Sequence, residues 1–194
     1  MALLLAFVVM VAMVVACAPV ASPTVVATQA APVAVTQGEA ATAFTLTSEA
    51  FRQGEMIPRR YTCDEENISP RLQWSQPPSG TMSFALIADD PDAPRGTFVH
   101  WVIFNIPADS RSLDEAVPVA AELPDGSRQG FNSAGDNGYI GPCPPSGTHR
   151  YFFRLYALDT VLDLPAEAGK EELLAAMEGH ILAQAELMGR YSRQ

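Results

Sequence analysis

Two histidines of this chain stand in matching surroundings. His100 lies in DDPDAPRGTFVHW, residues 89–101, and His149 in GPCPPSGTHRYFF, residues 141–153; each stretch passes from a proline-rich loop into an apolar run. An imidazole titrates near pH 6.5, and a neighbouring carboxylate or a bound anion favours its charged, doubly donating form. The same stretches supply Asp90, Asp92 and Tyr151, and these side chains converge if the two runs are strands lying side by side. Asp90 would then orient an imidazole and Tyr151 would donate through its hydroxyl. Such a group suits the capture of a small anion by imidazolium donors. With no lysine or arginine expected in the cup, binding should be weak and pH-dependent.

Other chemistries fit these residues less well. Two His and two Asp are eligible zinc ligands, yet the histidines are 149 − 100 = 49 positions apart and no HxxxH or HExxH spacing occurs, so no metal or other cofactor is expected. The glycines of GFNSAGDNGYIGP lack the GK[ST] ending of a nucleotide loop. There is no GxSxG, and Ser146, three residues before His149, has no evident orienting acid. An enzyme is therefore not favoured; a hydrolase using His100 and His149 as acid and base is the lesser alternative. His180 reads as an ordinary surface or core histidine, and Asp89 as a turn residue ahead of the proline loop.

The elements that must position the histidines are strands. From about residue 42, ATAFTLTS alternates apolar and polar side chains, and further short runs follow in MIPRRYTC, RLQW, TMSFALIAD, TFVHWVIFNIP and HRYFFRLYALD, separated by Pro, Gly and Asn clusters. SFALIA and FVHWVIFNI are apolar at nearly every position, as in central strands covered on both faces. Near the end, Leu173, Met177, Ile181, Ala185 and Met188 recur at helical spacing, which predicts helix broken at Gly179. Strands first and helices last make a mainly β domain with peripheral helices.

DDPDAPRGTFVHWVIFNIP and GPCPPSGTHRYFF, together with the flanking YTCDEENISPRLQW and AMEGHILAQAELMGRY, resemble the phosphatidylethanolamine-binding protein family in its bacterial, Raf kinase inhibitor-like branch. The resemblance spans roughly residues 42–194. It implies a β-sandwich with peripheral helices and a small pocket that receives phosphate or phospholipid head groups. By matching position it assigns Asp90, His100, His149 and Tyr151 to that pocket, with Asp92, Pro94, Gly141, Pro144 and Pro145 shaping its wall. It also implies a homodimer, and an alternative function as an inhibitor acting on a partner enzyme by surface contact.

The chain has 194 residues, with 12 basic and 22 acidic side chains and a net charge of −10, which argues against nucleic acid as a partner. No charged residue precedes Glu39. Residues 1–16 form an apolar run ending at Ala16, and Cys17 follows where a bacterial lipoprotein signal, which this segment resembles, would be cut and lipidated. An uncleaved anchor and an ordinary cleaved signal are the other two readings; all three export the domain. Residues 17–41, rich in Ala, Pro, Thr and Val, read as a disordered spacer from the membrane. The expected protein is thus exported and anchored at the cell membrane, which turns the inhibitor alternative toward an extracytoplasmic peptidase. Cys63 and Cys143 are the two remaining cysteines; oxidising compartments retain such pairs as disulfides, the alternative being two buried thiols.

Overall fold

The computed structural model describes residues 43–193; the expected signal segment, Cys17 and the whole expected spacer, residues 17–41, lie outside them. Two antiparallel sheets form the described domain. The smaller has the order β1-β2-β5, built from Leu46–Ser48, Leu72–Trp74 and Ser112–Leu113. The larger has the order β6-β4-β3-β7-β8, built from β3 Ser83–Asp90, β4 Phe98–Pro107, β6 Arg128–Gln129, β7 His149–Leu158 and β8 Ile181–Tyr191.

Why β3 and β4 are apolar throughout is evident from what covers them. Phe84, Leu86 and Ala88 of β3 face the small sheet, packing with Leu72, Trp74, Trp101 and Phe153. The alternate residues Ala85 and Ile87 face the other way, toward Val102, Phe104, Leu162, Leu173 and Met177. Leu173 and Met177 belong to helix α1, Lys170–Met177, which covers the outer face of the large sheet. The result is a sandwich with one helix laid on its second face, and every residue of β3 is buried.

Two expectations fail locally. MIPRRYTC makes no strand: Met56 forms an isolated bridge with Arg190 of β8, the Ile57 N–H donates to the Arg190 carbonyl at 2.7 Å, and after Pro58 the chain closes into a 3-10 turn, Arg59–Tyr61. The predicted second half of the C-terminal helix is the eleven-residue strand β8. The chain leaves α1 at Glu178, and Gly179, at φ 82°, lets it reverse into β8. In β8 the buried positions are Ala185, Leu187, Gly189 and Tyr191, a period of two that the four-residue spacing of Ile181 and Ala185 also satisfies. The open edge of β7 supplied the backbone partners, and pairing from His149–Tyr191 to Leu158–Ile181 overrode local helix propensity. Among the described residues α1 is therefore the one α-helix.

Candidate functional site

The ends of three adjacent strands meet at one rim of the large sheet. Asp90 ends β3, His149 begins β7, and His100 is the third residue of β4. They line a cavity of about 650 Å³ together with Pro94, Arg95, Phe98, Ile140, Gly141, Cys143, Pro144 and Pro145. Its floor is nearly closed to solvent, with Asp90, His100 and His149 retaining 3%, 6% and 7% of their exposure.

A β-bulge aims His100. Ala88 pairs with Trp101 and Asp89 with Val99, so His100 is the extra residue between them. Its backbone and ring are then both held by one residue: the Ile140 N–H donates to the His100 carbonyl at 2.9 Å, and His100 Nδ1 donates to the Ile140 carbonyl at 2.6 Å. Burial holds the His100 pKa below its ordinary value, against the upward pull of that hydrogen bond and of Asp90 and Asp89. Without a ligand, His100 therefore takes up its second proton less readily than an ordinary imidazole.

Asp90 orients an imidazole, but it is His149. The Asp90 Oδ2 atom lies 2.7 Å from His149 Nδ1, and Oδ1 accepts the Asp92 N–H at 2.8 Å. An ionised carboxylate only accepts, so the His149 proton sits on Nδ1 and Nε2 is left to the cavity.

Other assigned residues play different parts. Asp92 is not in the cavity lining: its carboxylate takes the Arg150 guanidinium at 2.7 and 2.9 Å and the Arg150 N–H at 3.0 Å, and Arg150 holds its pKa down to about 2. It fastens the proline loop to the start of β7. Tyr151 lies behind the floor, its ring edge-on to His100 with centroids 5.2 Å apart. Its hydroxyl is buried without a hydrogen-bond partner, and burial raises its pKa above the usual 10, so it does not donate into the cup as expected. Asp89 is no turn residue; it is 2% exposed in β3 and bonded to Arg154 at 2.8 Å and Lys170 at 2.5 Å. His180 pairs with Asp159 at the surface.

Pro94, Gly141, Pro144 and Pro145 do form the wall. Gly141 is needed there, because a Cβ would come within 2.5 Å of the Tyr61 carbonyl oxygen and 2.7 Å of Thr62 Cα. The same wall is tied to the 61–67 segment by the Cys63–Cys143 disulfide and by hydrogen bonds from Gly141 N–H to Asn67 Oδ1 at 2.7 Å and from Cys63 N–H to the Pro142 carbonyl at 3.2 Å.

Arg95, Thr97, Phe98, Ser133 and Ile140 line the cup without having been singled out in the sequence. Arg95 is exposed at the rim and makes no salt bridge among the described residues, so the cup does hold a cation. Its place between Pro94 and Gly96 was a readable signal, since Gly96 at φ 99° turns the loop. Ser133 accepts the Val99 N–H at 2.8 Å, which leaves its own O–H free to donate. Nothing in the local pattern marks Ser133 or Ile140.

The Phosphatidylethanolamine-binding protein profile matches residues 47–192. A UPF0098 protein of Methanothermobacter thermautotrophicus is 62% identical over 148 residues, covering 76% of this chain and 98% of that protein. One from Aquifex aeolicus is 50% identical, covering 75% and 86%. Among solved structures, the phosphatidylethanolamine-binding protein homolog CT736 of Chlamydia trachomatis is 43% identical, with a TM-score of 0.73 over 78% of this chain and 99% of that one. Escherichia coli YbcL is 32% identical, with a TM-score of 0.73 over 79% and 100%.

Proposed function

The chain belongs to the phosphatidylethanolamine-binding protein family, and from that premise we propose that its cup takes a small phosphate-bearing anion, free or as a lipid head group. The observation that carries this reading is the Asp90–His149 pair on the floor of a cavity whose mouth holds Arg95. The unpaired guanidinium attracts the anion, and the hydroxyls of Thr97 and Ser133 and the Nε2 of His149, once that ring is doubly protonated, donate to its oxygens. Family, fold and cup support a binding protein; the exported, membrane-tethered location rests on the apolar run ending at Cys17 and belongs to the same proposal.

Calorimetric titration with methyl phosphate tests the cup. His149→Ala removes one charge-assisted hydrogen bond and should weaken binding about tenfold to a hundredfold. Unchanged affinity in both His149→Ala and Arg95→Ala would show that the anion site is elsewhere. The tether is tested by fractionating cells that express Cys17→Ser: loss of membrane association is expected, and unchanged association would replace lipid by an apolar anchor.

A further inference from the structure

One loop is held open from behind. Residues 116–121, AVPVAA, lie between β5 and β6 and carry Val119 at 74% exposure, the highest of the large apolar side chains among the described residues. Gln129, fully buried in β6, holds them. The Trp101 indole N–H donates to Gln129 Oε1 at 2.7 Å, and since an indole nitrogen cannot accept, the amide nitrogen of Gln129 is turned to the loop. Both of its hydrogens are used: Nε2 donates to the Pro118 carbonyl and to the Ala120 carbonyl, each at 2.8 Å. Two carbonyls on one nitrogen stand closer together than the roughly 6.6 Å that two residues of a flat strand span, so the chain bows outward at Val119. The Val119 N–H and carbonyl have no hydrogen-bond partner among the described residues.

The loop is anchored on both sides of this apex. Before it, the Ala116 N–H donates to the Ser69 carbonyl at 3.0 Å and the Val117 N–H to Ser69 Oγ at 2.9 Å; after it, the Gln129 N–H donates to the Ala121 carbonyl at 2.9 Å. Val117 and Ala120 rest against the core, and Gly138, where a Cβ would lie 3.4 Å from Val119 Cα, leaves the apex uncrowded. Covering the β6 edge would explain the anchors. It does not explain a branched apolar side chain raised between two inward carbonyls. That is the form in which a peptidase takes a substrate segment, with the side chain in a pocket and its carbonyl free for attack.

The geometry points to residues 116–121 as a reactive loop that inhibits a serine peptidase with a small apolar pocket, Val119 entering that pocket and the Val119–Ala120 bond meeting the nucleophile. This surface lies outside the lining of the cup and does not depend on the anion-binding reading. The partner's class follows from the side chains: valine after proline, with alanine beyond, fits a pocket too small for an aromatic ring or a lysine. Attack by the peptidase serine joins its oxygen to the Val119 carbonyl carbon and breaks the bond to the Ala120 nitrogen, which receives the serine's proton through the peptidase histidine. From a free peptide the amine would leave and water would hydrolyse the ester. Here Gln129 holds Pro118 on the ester side and Ala120 on the amine side, so the amine stays within reach and re-forms the peptide bond. A loop already fixed in its bound form also loses little freedom on docking.

Pancreatic elastase is the probe, assayed on a chromogenic peptide after incubation with the full-length chain in neutral detergent. Inhibition is expected, with the Val119–Ala120 bond largely uncut by mass spectrometry. Val119→Lys, a change at an exposed position, should weaken inhibition at least about a hundredfold, because an ammonium group is costly to desolvate in an apolar pocket. Cleavage within residues 17–41, where Ala31, Pro32 and Val33 offer the same pocket a site, is common to both chains and cancels in the comparison. Gln129→Ala should turn the inhibitor into a substrate, cut between Val119 and Ala120 at least about tenfold faster for the loss of two hydrogen bonds. Should that variant not fold, Val119→Lys still decides. Equal inhibition by the natural chain and Val119→Lys, no inhibition at all, or rapid cutting of the natural chain at Val119–Ala120 would each overturn the reactive-loop assignment. Unchanged cutting in a folded Gln129→Ala would overturn the part given to Gln129.

Discussion

Breaking the Cys63–Cys143 bond should cost the domain several kcal/mol while leaving the cup assembled. The bond closes a loop across a sequence separation of 80, which in the chain-entropy account corresponds to about 4.5 kcal/mol at 25 °C. That stabilisation acts through the unfolded chain, because the folded wall keeps other ties. Tyr139 Oη–H donates to the Tyr61 carbonyl at 2.8 Å and Gly141 N–H to Asn67 at 2.7 Å, whether or not the sulfurs are joined. For a domain of this size the loss corresponds to a melting shift of about 9–18 °C. Thermal unfolding with and without reductant measures it, with the Cys63→Ser/Cys143→Ser double variant as a control insensitive to reductant. The urea m-value should rise on reduction, since the uncrosslinked chain exposes more surface when it unfolds. A shift below about 3 °C, with m unchanged, would refute the entropic reasoning, since a cross-link of this span cannot leave a flexible unfolded chain unaffected.

Two further outcomes follow from buried charge. Asp89→Asn strands Lys170 and leaves Arg154 with Glu186 alone, at 20% and 25% side-chain exposure, and should cost about 3 kcal/mol in urea unfolding, whereas Asp92→Asn at the exposed Arg150 pair should cost less than about 1 kcal/mol. Equal losses in the two variants would mean that the cations left behind by Asp89 are not penalised by their burial. The depressed pKa of His100 gives the second: the unfolded chain takes up a proton that the folded ring refuses, so this contribution to stability is complete above about pH 6.5 and is lost as pH falls through the lower folded value. Urea midpoints from about pH 8 to pH 5 should therefore fall more steeply for the natural chain than for His100→Gln, and parallel curves would contradict the burial of a neutral ring.

The large sheet was legible because its central strands are covered twice. Continuous apolar runs such as SFALIA and FVHWVIFNI need cover on both faces, and the small sheet and α1 provide it. The end of the chain was not legible for a reason of arithmetic. Leu173 and Met177 of α1 and Ile181 and Ala185 of β8 continue one four-residue spacing, and a spacing of four is consistent with a helix face and with alternate pairs on a strand face. Leu187 and Tyr191 break the helical stripe and keep the period of two, but Leu187 sits next to Met188, which the helical spacing also accepts, and Tyr191 lies past the window that looked helical. The 3-10 turn at Arg59–Tyr61 escaped notice because its apolar residues, Ile57 and Tyr61, are spaced as a strand would allow; Pro58 was the contrary signal.

At the cup, residue types were readable and directions were not. Asp90, His100 and His149 converge, yet which imidazole the carboxylate serves depends on a register shift that no local pattern announces. Trp101 points between the sheets, where its indole N–H donates to Gln129 at 2.7 Å, and Val102 points to the opposite face. In a regular strand His100 would share the face of Val102, beside Asp89 and α1. The bulge instead puts His100 and Trp101, consecutive residues, on one side of the sheet. One inserted position thus lets the strand fill the core with Trp101 and furnish the cup with His100. Ile140 then fixes through its carbonyl which nitrogen of the neutral ring carries the proton, so the tautomer of His100 is a consequence of backbone geometry. A side-chain census could not have shown it, because a histidine carries donor and acceptor alike until the rest of the fold chooses between them.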